Sequence, residues 1–193
     1  YLFYRTVPID VAFIRGTVAD TAGNITMDEE PALCGGLLLA QAARANGGKV
    51  IAQVRKVVPF GSLDPRMVRV PGIFVDAVVE HPGQWQTTHV RYDPTLVGQA
   101  RRGTDNLAEV SGASRLVLLR ALREVRDGDV LAIGFGLPGY LPAVAVQAGR
   151  YDALTFTIEH GVVGGINGYA AGGTTFPMSH DPEPTIDAAD QLR

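Results

Sequence analysis

Glu159 is the residue of this sequence whose setting most favours chemistry. It closes an apolar, β-branched run, "LTFTIE" (residues 154–159), and the chain then continues as the glycine-rich "HGVVGGINGYAAGG". A carboxylate is a weak nucleophile in water, but it becomes useful when held, partly desolvated, against an activated carbonyl such as a thioester. A buried strand end can do the holding. Attack on such a carbonyl passes through a tetrahedral oxyanion that needs preorganised N–H donors, and glycines let backbone amides come close enough to supply them. The plain alternative is a solvated strand-end carboxylate or a partner for a nearby arginine, with the glycines forming a tight turn.

A second glycine cluster lies upstream. Gly134, Gly136 and Gly139 spell G-x-G-x-x-G after the strand-like "DVLAIGFG", and Glu159 follows twenty residues beyond Gly139. This is the spacing of a dinucleotide fingerprint, with glycine amides on a pyrophosphate and the acid on ribose hydroxyls. Pro138 and Pro142 count against it, because they shorten the helix that must follow. So does the second run of glycines, which a ribose-binding acid does not need.

The remaining candidates are weaker. His160 adjoins Glu159, yet neighbours on a strand point to opposite faces, so a direct acid–base partnership is disfavoured. His81, His89, His160 and His180 show no paired ligand spacing and, with a single cysteine, make no metal site. "ARANGGKV" lacks the first glycine and the Ser/Thr of a phosphate loop, and no G-x-S-x-G occurs. Asp20, Gly23 and Asn24 read as a hairpin turn, Arg66 and Arg69 as solvated surface, and Trp85 as a linker residue.

These residues need a scaffold, and the chain has the means to build one. It holds 193 residues, of which 46% are hydrophobic, with a net charge of -3 and no Lys/Arg run longer than two. That composition is ample for a packed core and argues against nucleic acid as a partner. Cys34 can form no intrachain disulfide, which suits a reducing compartment. No apolar run reaches the roughly 18 residues of a membrane span, and no charged-then-apolar leader opens the sequence, so no membrane is expected and the expected location is cytoplasmic.

The pattern predicts an α/β fold. "PIDVAFIRGTV", with Val11 and Phe13 and a buried run around Ile14, reads as a strand, followed by a turn through Gly23-Asn24 into a short second strand. A helix is predicted over residues 28–45, with acids in its first turn, Pro31 near its start and Gly47-Gly48 at its end. "KVIAQVRKVV" and "PGIFVDAVVE" read as further strands. From His81 to Gly112 no period holds, which predicts a linker. "ASRLVLLRALREV" places Leu116, Leu119, Leu122 and Val125 on one helical face. Strand, short helix near Pro138 and strand then form a βαβ unit with parallel strands, whose carboxyl ends carry Gly134–Gly136 and Glu159 into one crevice.

Five stretches, "PIDVAFIRGTVADTAGNITMDEE", "GGKVIAQVRKVV", "GSLDPRMVRVPGIFVD", "ALREVRDGDVLAIGFGLP" and "LTFTIEHGVVGGI", together resemble the family I coenzyme A transferases. Their order matches the acetate/propionate CoA-transferase branch, and the resemblance covers nearly all of residues 7–175. It implies open, largely parallel sheets with flanking helices, in parts of two similar domains. Residues 1–80 would end the first domain, 81–112 would link, and 113–193 would begin the second. The stretch T-[IV]-E-x-G-x-x-G-G is its specific part. There Glu159 matches the catalytic nucleophile, while Gly134, Gly136, Gly161, Gly164 and Gly165 match the lining of the thioester and coenzyme A site. The implied activity is ping-pong transfer of CoA between short-chain carboxylic acids, with acyl-CoA as substrate, no permanently bound cofactor, no metal and a homo-oligomeric assembly. An acyl-CoA hydrolase on the same site, a chain that only binds or assembles, and the dinucleotide-binding domain are the alternatives. The opening at Tyr1 and the ending "IDAADQLR" raise the expectation of a piece of a longer polypeptide.

Overall fold

The computed structural model describes residues 3, 7–105, 107–167 and 179–191. The chain divides into two compact units, one of Tyr1–Glu30 with Gly35–Gln84, the other of Pro31–Cys34 with Trp85–Arg193. Both have the α/β character that the patterning predicts.

In the first unit, strand β1 (Val11–Asp20) turns tightly into β2 (Ile25–Thr26), helix α1 (Gly36–Ala45) crosses over, and β3 (Lys49–Val58) returns parallel to β1. Strands β4 (Val68–Val70) and β5 (Ala77–Glu80) complete a sheet of order β4-β2-β1-β3-β5, in which β1, β3 and β5 run parallel. The turn is the one expected through Gly23-Asn24. Asp20 Oδ1 accepts the N–H groups of Ala22 and Asn24 at 2.9 and 3.0 Å, and Asn24 Oδ1 in turn accepts the N–H of Gly72 at 2.9 Å.

Two details differ from expectation. The helix begins at Gly36 rather than near residue 28, because Cys34 and Gly35 both take positive φ, 52° and 65°, which no right-handed helix accommodates. The acids read as its first turn instead form ion pairs: Glu30 with Arg15 at 2.8 Å and Glu29 with Arg55. On β1 the buried phase is Ala12 and Ile14, while Phe13 is 73% exposed. Helix α1 packs on β1 and β3, and small or branched residues (Ala12, Ala52, Val50, Val54) lie buried there, where alanines allow close approach.

In the second unit, α2 (Gly112–Leu122) leads to β6 (Val130–Ile133), a 3₁₀ turn (Leu137–Tyr140), α3 (Leu141–Gln147) and β7 (Thr155–Ile158). This is the expected βαβ unit, and β6 and β7 pair in parallel from Val130↔Thr155 to Ile133↔Ile158. Strand β8 (Val162–Val163) adds antiparallel to β7, and α4 (Ala188–Gln191) follows. The segment read as a linker contains a 3₁₀ turn, Pro94–Val97, capped by Asp93 and burying Leu96 completely. Among the described residues no helix is long and apolar enough to cross a membrane.

Helix α2 buries Leu118 and Leu122, one turn apart, against Ile133, Val144, Phe156 and Ile158. Leu116, placed on the buried stripe from the sequence, is 70% exposed; the stripe runs through Leu118 instead, with Leu119 partly buried beside it. The two leucines therefore separate the alternatives cleanly. Leu118→Ala should cost about 2–5 kcal/mol, the range for a deleted core leucine. Leu116→Ala should stay within about 0.5 kcal/mol. Chemical denaturation of the two variants checks the difference.

Candidate active site

Parallel pairing decides what meets at the end of the βαβ unit. The register ends at Ile133↔Ile158, so Gly134 and Glu159 are the residues that directly follow the last pair. The rings of Phe135 and His160 stack with centroids 6.1 Å apart and planes 5° from parallel. Ile158 is fully buried, Glu159 is exposed and His160 is buried again. The carboxylate is therefore solvent-facing while the neighbouring imidazole is buried.

The glycines fall into two groups. A Cβ on Gly134 or Gly136 would meet no heavy atom of the described residues within 4 Å. Gly136 also adopts φ 74°, ψ -139°, a conformation reserved for glycine, before the 3₁₀ turn Leu137–Tyr140. Gly139 is buried inside that turn, so the G-x-G-x-x-G run opens onto a 3₁₀ turn and a seven-residue helix rather than the long helix of a dinucleotide fold.

Gly161, Gly164 and Gly165 are needed by the chain itself. A Cβ on Gly161 would lie 1.9 Å from the carbonyl oxygen of Ile186, and one on Gly165 would lie 2.4 Å from Ser179 Oγ. Gly161 and Gly164 have positive φ, 97° and 76°. Their amides are engaged as well: Gly161 N–H donates to the Ile158 carbonyl at 2.8 Å and Gly164 N–H to that of Phe156 at 2.7 Å. Residues 180–186 pair along this turn, and the Tyr151 hydroxyl donates to the Gly164 carbonyl at 2.9 Å. Burial pushes the Tyr151 phenol up to about 12, so it stays a donor. The glycines from Gly168 onward lie outside the described residues.

Of the other candidates, Arg66 is exposed and bonded to Asp64, with Nη2 to Oδ2 at 2.7 Å, as its surface reading anticipates. Sequence reading missed a cluster that gathers around His180, which is 1% exposed. Thr95 Oγ1 lies 2.6 Å from its Nδ1, Arg102 Nη1 lies 3.1 Å from its Nε2, and Asp93 and Asp181 complete the group. Only the run Asp93-Pro94-Thr95, a capping pattern, hinted at part of it.

Burial, and for His180 also the Arg102 charge, pulls both His160 and His180 down to about 4. Both are neutral at pH 7. An unfolded histidine titrates near 6.5, so between about 4 and 6.5 the unfolded state binds more protons and stability falls as pH drops through that window. Each unit of displacement is worth about 1.4 kcal/mol. The apparent thermal midpoint should therefore decline from pH 6.5 to 4, and less steeply in a His180→Gln variant; an equal decline in both would remove His180 from the explanation.

A family model described as coenzyme A transferase matches residues 1–81. The caffeate CoA-transferase of Acetobacterium woodii is 37% identical over 191 residues, covering 97% of this chain and 36% of that protein. The acetate CoA-transferase YdiF of Escherichia coli K12 is 34% identical over 198 residues, covering 100% of this chain and 36% of that protein. In structure, the acyl-CoA transferase YdiF of E. coli O157:H7, solved as a thioester complex with CoA, superposes with a TM-score of 0.84 at 32% identity, covering 98% of this chain and 34% of that one. Its apoenzyme gives a TM-score of 0.85. The chain thus spans about a third of the length of these relatives.

Proposed function

The chain belongs to the coenzyme A transferase family, and we propose that it carries the nucleophile of an acyl-CoA:carboxylate CoA-transferase, Glu159. In this reading residues 1–80 end one CoA-transferase domain, 81–112 link, and 113–193 begin the next. The observation that carries it is the parallel register at the end of β6 and β7. It brings together two strand ends, the one followed by the exposed Glu159 and the other by Gly134, which has no heavy atom of the described residues within 4 Å of where a Cβ would stand.

The reaction follows from those groups. Glu159 attacks the carbonyl of an acyl-CoA and expels CoA thiolate, leaving a mixed acyl-glutamyl anhydride. The thiolate then attacks the glutamyl carbonyl, releasing the donor as a free carboxylate and leaving a glutamyl-CoA thioester. An acceptor carboxylate reverses the sequence: it attacks the thioester, frees the thiolate, and the thiolate takes the new acyl group and restores Glu159. Each step balances without a redox partner. The amides of Gly161 and Gly164 are bonded within the chain, so in this reading they are not the oxyanion donors. The substrates are acyl-CoA and short-chain carboxylic acids, and the working form is a homo-oligomer in the cytoplasm.

Initial rates on the full-length protein test this. Double-reciprocal plots against acyl-CoA and acceptor should give parallel lines, and Glu159→Gln should lower kcat by about 10³-fold or more. Intersecting lines, or an active Glu159→Gln enzyme, would sink it. Gly134→Val probes the other strand end: stability should change by no more than about 0.5 kcal/mol, whereas transfer should slow by about tenfold or more as the new side chain crowds the reacting carbonyl.

A further inference from the structure

The segment between Asp93 and Gly103 has no place in the chemistry above, yet its polar groups converge on His180. Asp93 Oδ1 accepts the amide N–H of Thr95 at 2.9 Å and the Thr95 hydroxyl at 2.7 Å. Burial opposes the Asp93 charge, but these bonds and the Arg102 charge outweigh it and hold the carboxyl below its ordinary range. An ionised Asp93 only accepts, so the Thr95 proton points to Asp93 and Thr95 Oγ1 must accept from His180 Nδ1–H at 2.6 Å. Arg102 Nη1, 3.1 Å from Nε2 and 3.5 Å from Nδ1, donates to the nearer nitrogen. Every member then has a donor or acceptor of the right kind, with the imidazole neutral and protonated on Nδ1.

The next residue ties the same two segments again. Asp181 accepts the N–H of Arg102 at 2.8 Å and of Gly103 at 2.7 Å, and donates its own N–H to the Thr95 carbonyl at 2.8 Å. Arg101 Nη1 donates to the Asp181 carbonyl at 2.9 Å.

From His180 a ladder runs back to the turn after Glu159. His180 and Ile166 exchange two backbone hydrogen bonds, at 2.8 and 3.0 Å. Glu183 N–H donates to Val163, Val163 N–H to Pro184, and Ile186 N–H to Gly161, at 2.9, 3.1 and 2.9 Å. Gly161 lies two residues from Glu159. The contact of 1.9 Å that a Cβ there would make with Ile186 leaves no room for slippage at that rung.

We propose that Thr95, Arg102 and His180 are positioning residues for Glu159: the segment 93–103 is a buttress that fixes residues 180–186, and through them the glycine turn that aims the carboxylate. The proposal rests on Glu159 being the nucleophile. It assigns a role to the very region whose sequence shows no periodicity.

Thr95→Val removes the hydroxyl at constant shape, and Thr95→Ser restores it. In the full-length protein, two readings are taken on each: amide hydrogen exchange at Val163, Ile166, His180 and Ile186, and single-turnover formation of the CoA adduct on Glu159 with acetyl-CoA. The expected result for Thr95→Val is faster exchange at those amides and a rate constant about tenfold lower, with adduct stoichiometry at completion unchanged; Thr95→Ser returns both readings to within about twofold. A merely structural role would lower the stoichiometry and leave the rate constant per active site intact, which overturns the proposal, as does unchanged exchange. If wild-type protein forms no adduct on Glu159, the reading of the nucleophile fails, and exchange alone decides whether the buttress exists. Should Thr95→Val not fold, Asp181→Asn takes its place and is read in the same way, by exchange and rate constant.

Discussion

The parallel pairing of β6 with β7 is the constraint on which the rest of the second unit depends. Side chains alternate along a strand and align across paired strands, so one register fixes which residues share a face at the strand ends. Here it aligns Ile133 with Ile158 inside the core. Just beyond that pair the chain carries Gly134 after one strand and Glu159 after the other, and the ring of Phe135 stacks on that of His160. A slip of one residue would turn Phe156 and Ile158 out of the core and Glu159 toward it. Burial of a lone carboxylate costs several kcal/mol, so the hydrophobic core enforces the register and the register aims the carboxylate.

The glycine turn answers a second constraint. After Ile158 the chain must reverse into β8 within three residues, beneath a segment that returns at 180–186. Two positive φ angles and a carbonyl oxygen 1.9 Å from where the Gly161 Cβ would stand explain why those positions have no side chains. Among the described residues nothing crowds Gly134. Glycines that look alike in sequence thus serve different ends.

Much of this was legible from the sequence where local signals and tertiary packing agree. Asp20, Gly23 and Asn24 have turn chemistry that works within five residues, and the βαβ unit announces itself through a β-branched strand, a Pro-led helix and a second strand. Other features depend on partners distant in sequence. The acids at 29 and 30 look like a helix start until Arg15 and Arg55 compete for them. Leu116 and Leu118 are equally apolar, and the position of Ile133, Val144 and Phe156 chooses between them. Glu159 stands out as a candidate in the sequence because strand, carboxylate and glycines are contiguous. The cluster around His180 was not, since Asp93 and Arg102 lie nearly eighty residues or more before it in sequence and carry no period of their own.

The central claim is covalent catalysis by Glu159, and trapping tests it most directly. The full-length protein is incubated with acetyl-CoA or propionyl-CoA, quenched with hydroxylamine, digested and mapped by mass. The account predicts a hydroxamate on the peptide carrying Glu159, absent when Glu159→Ala replaces the wild type. Bound CoA with Glu159 unmodified, whichever acyl donor is supplied, would contradict it.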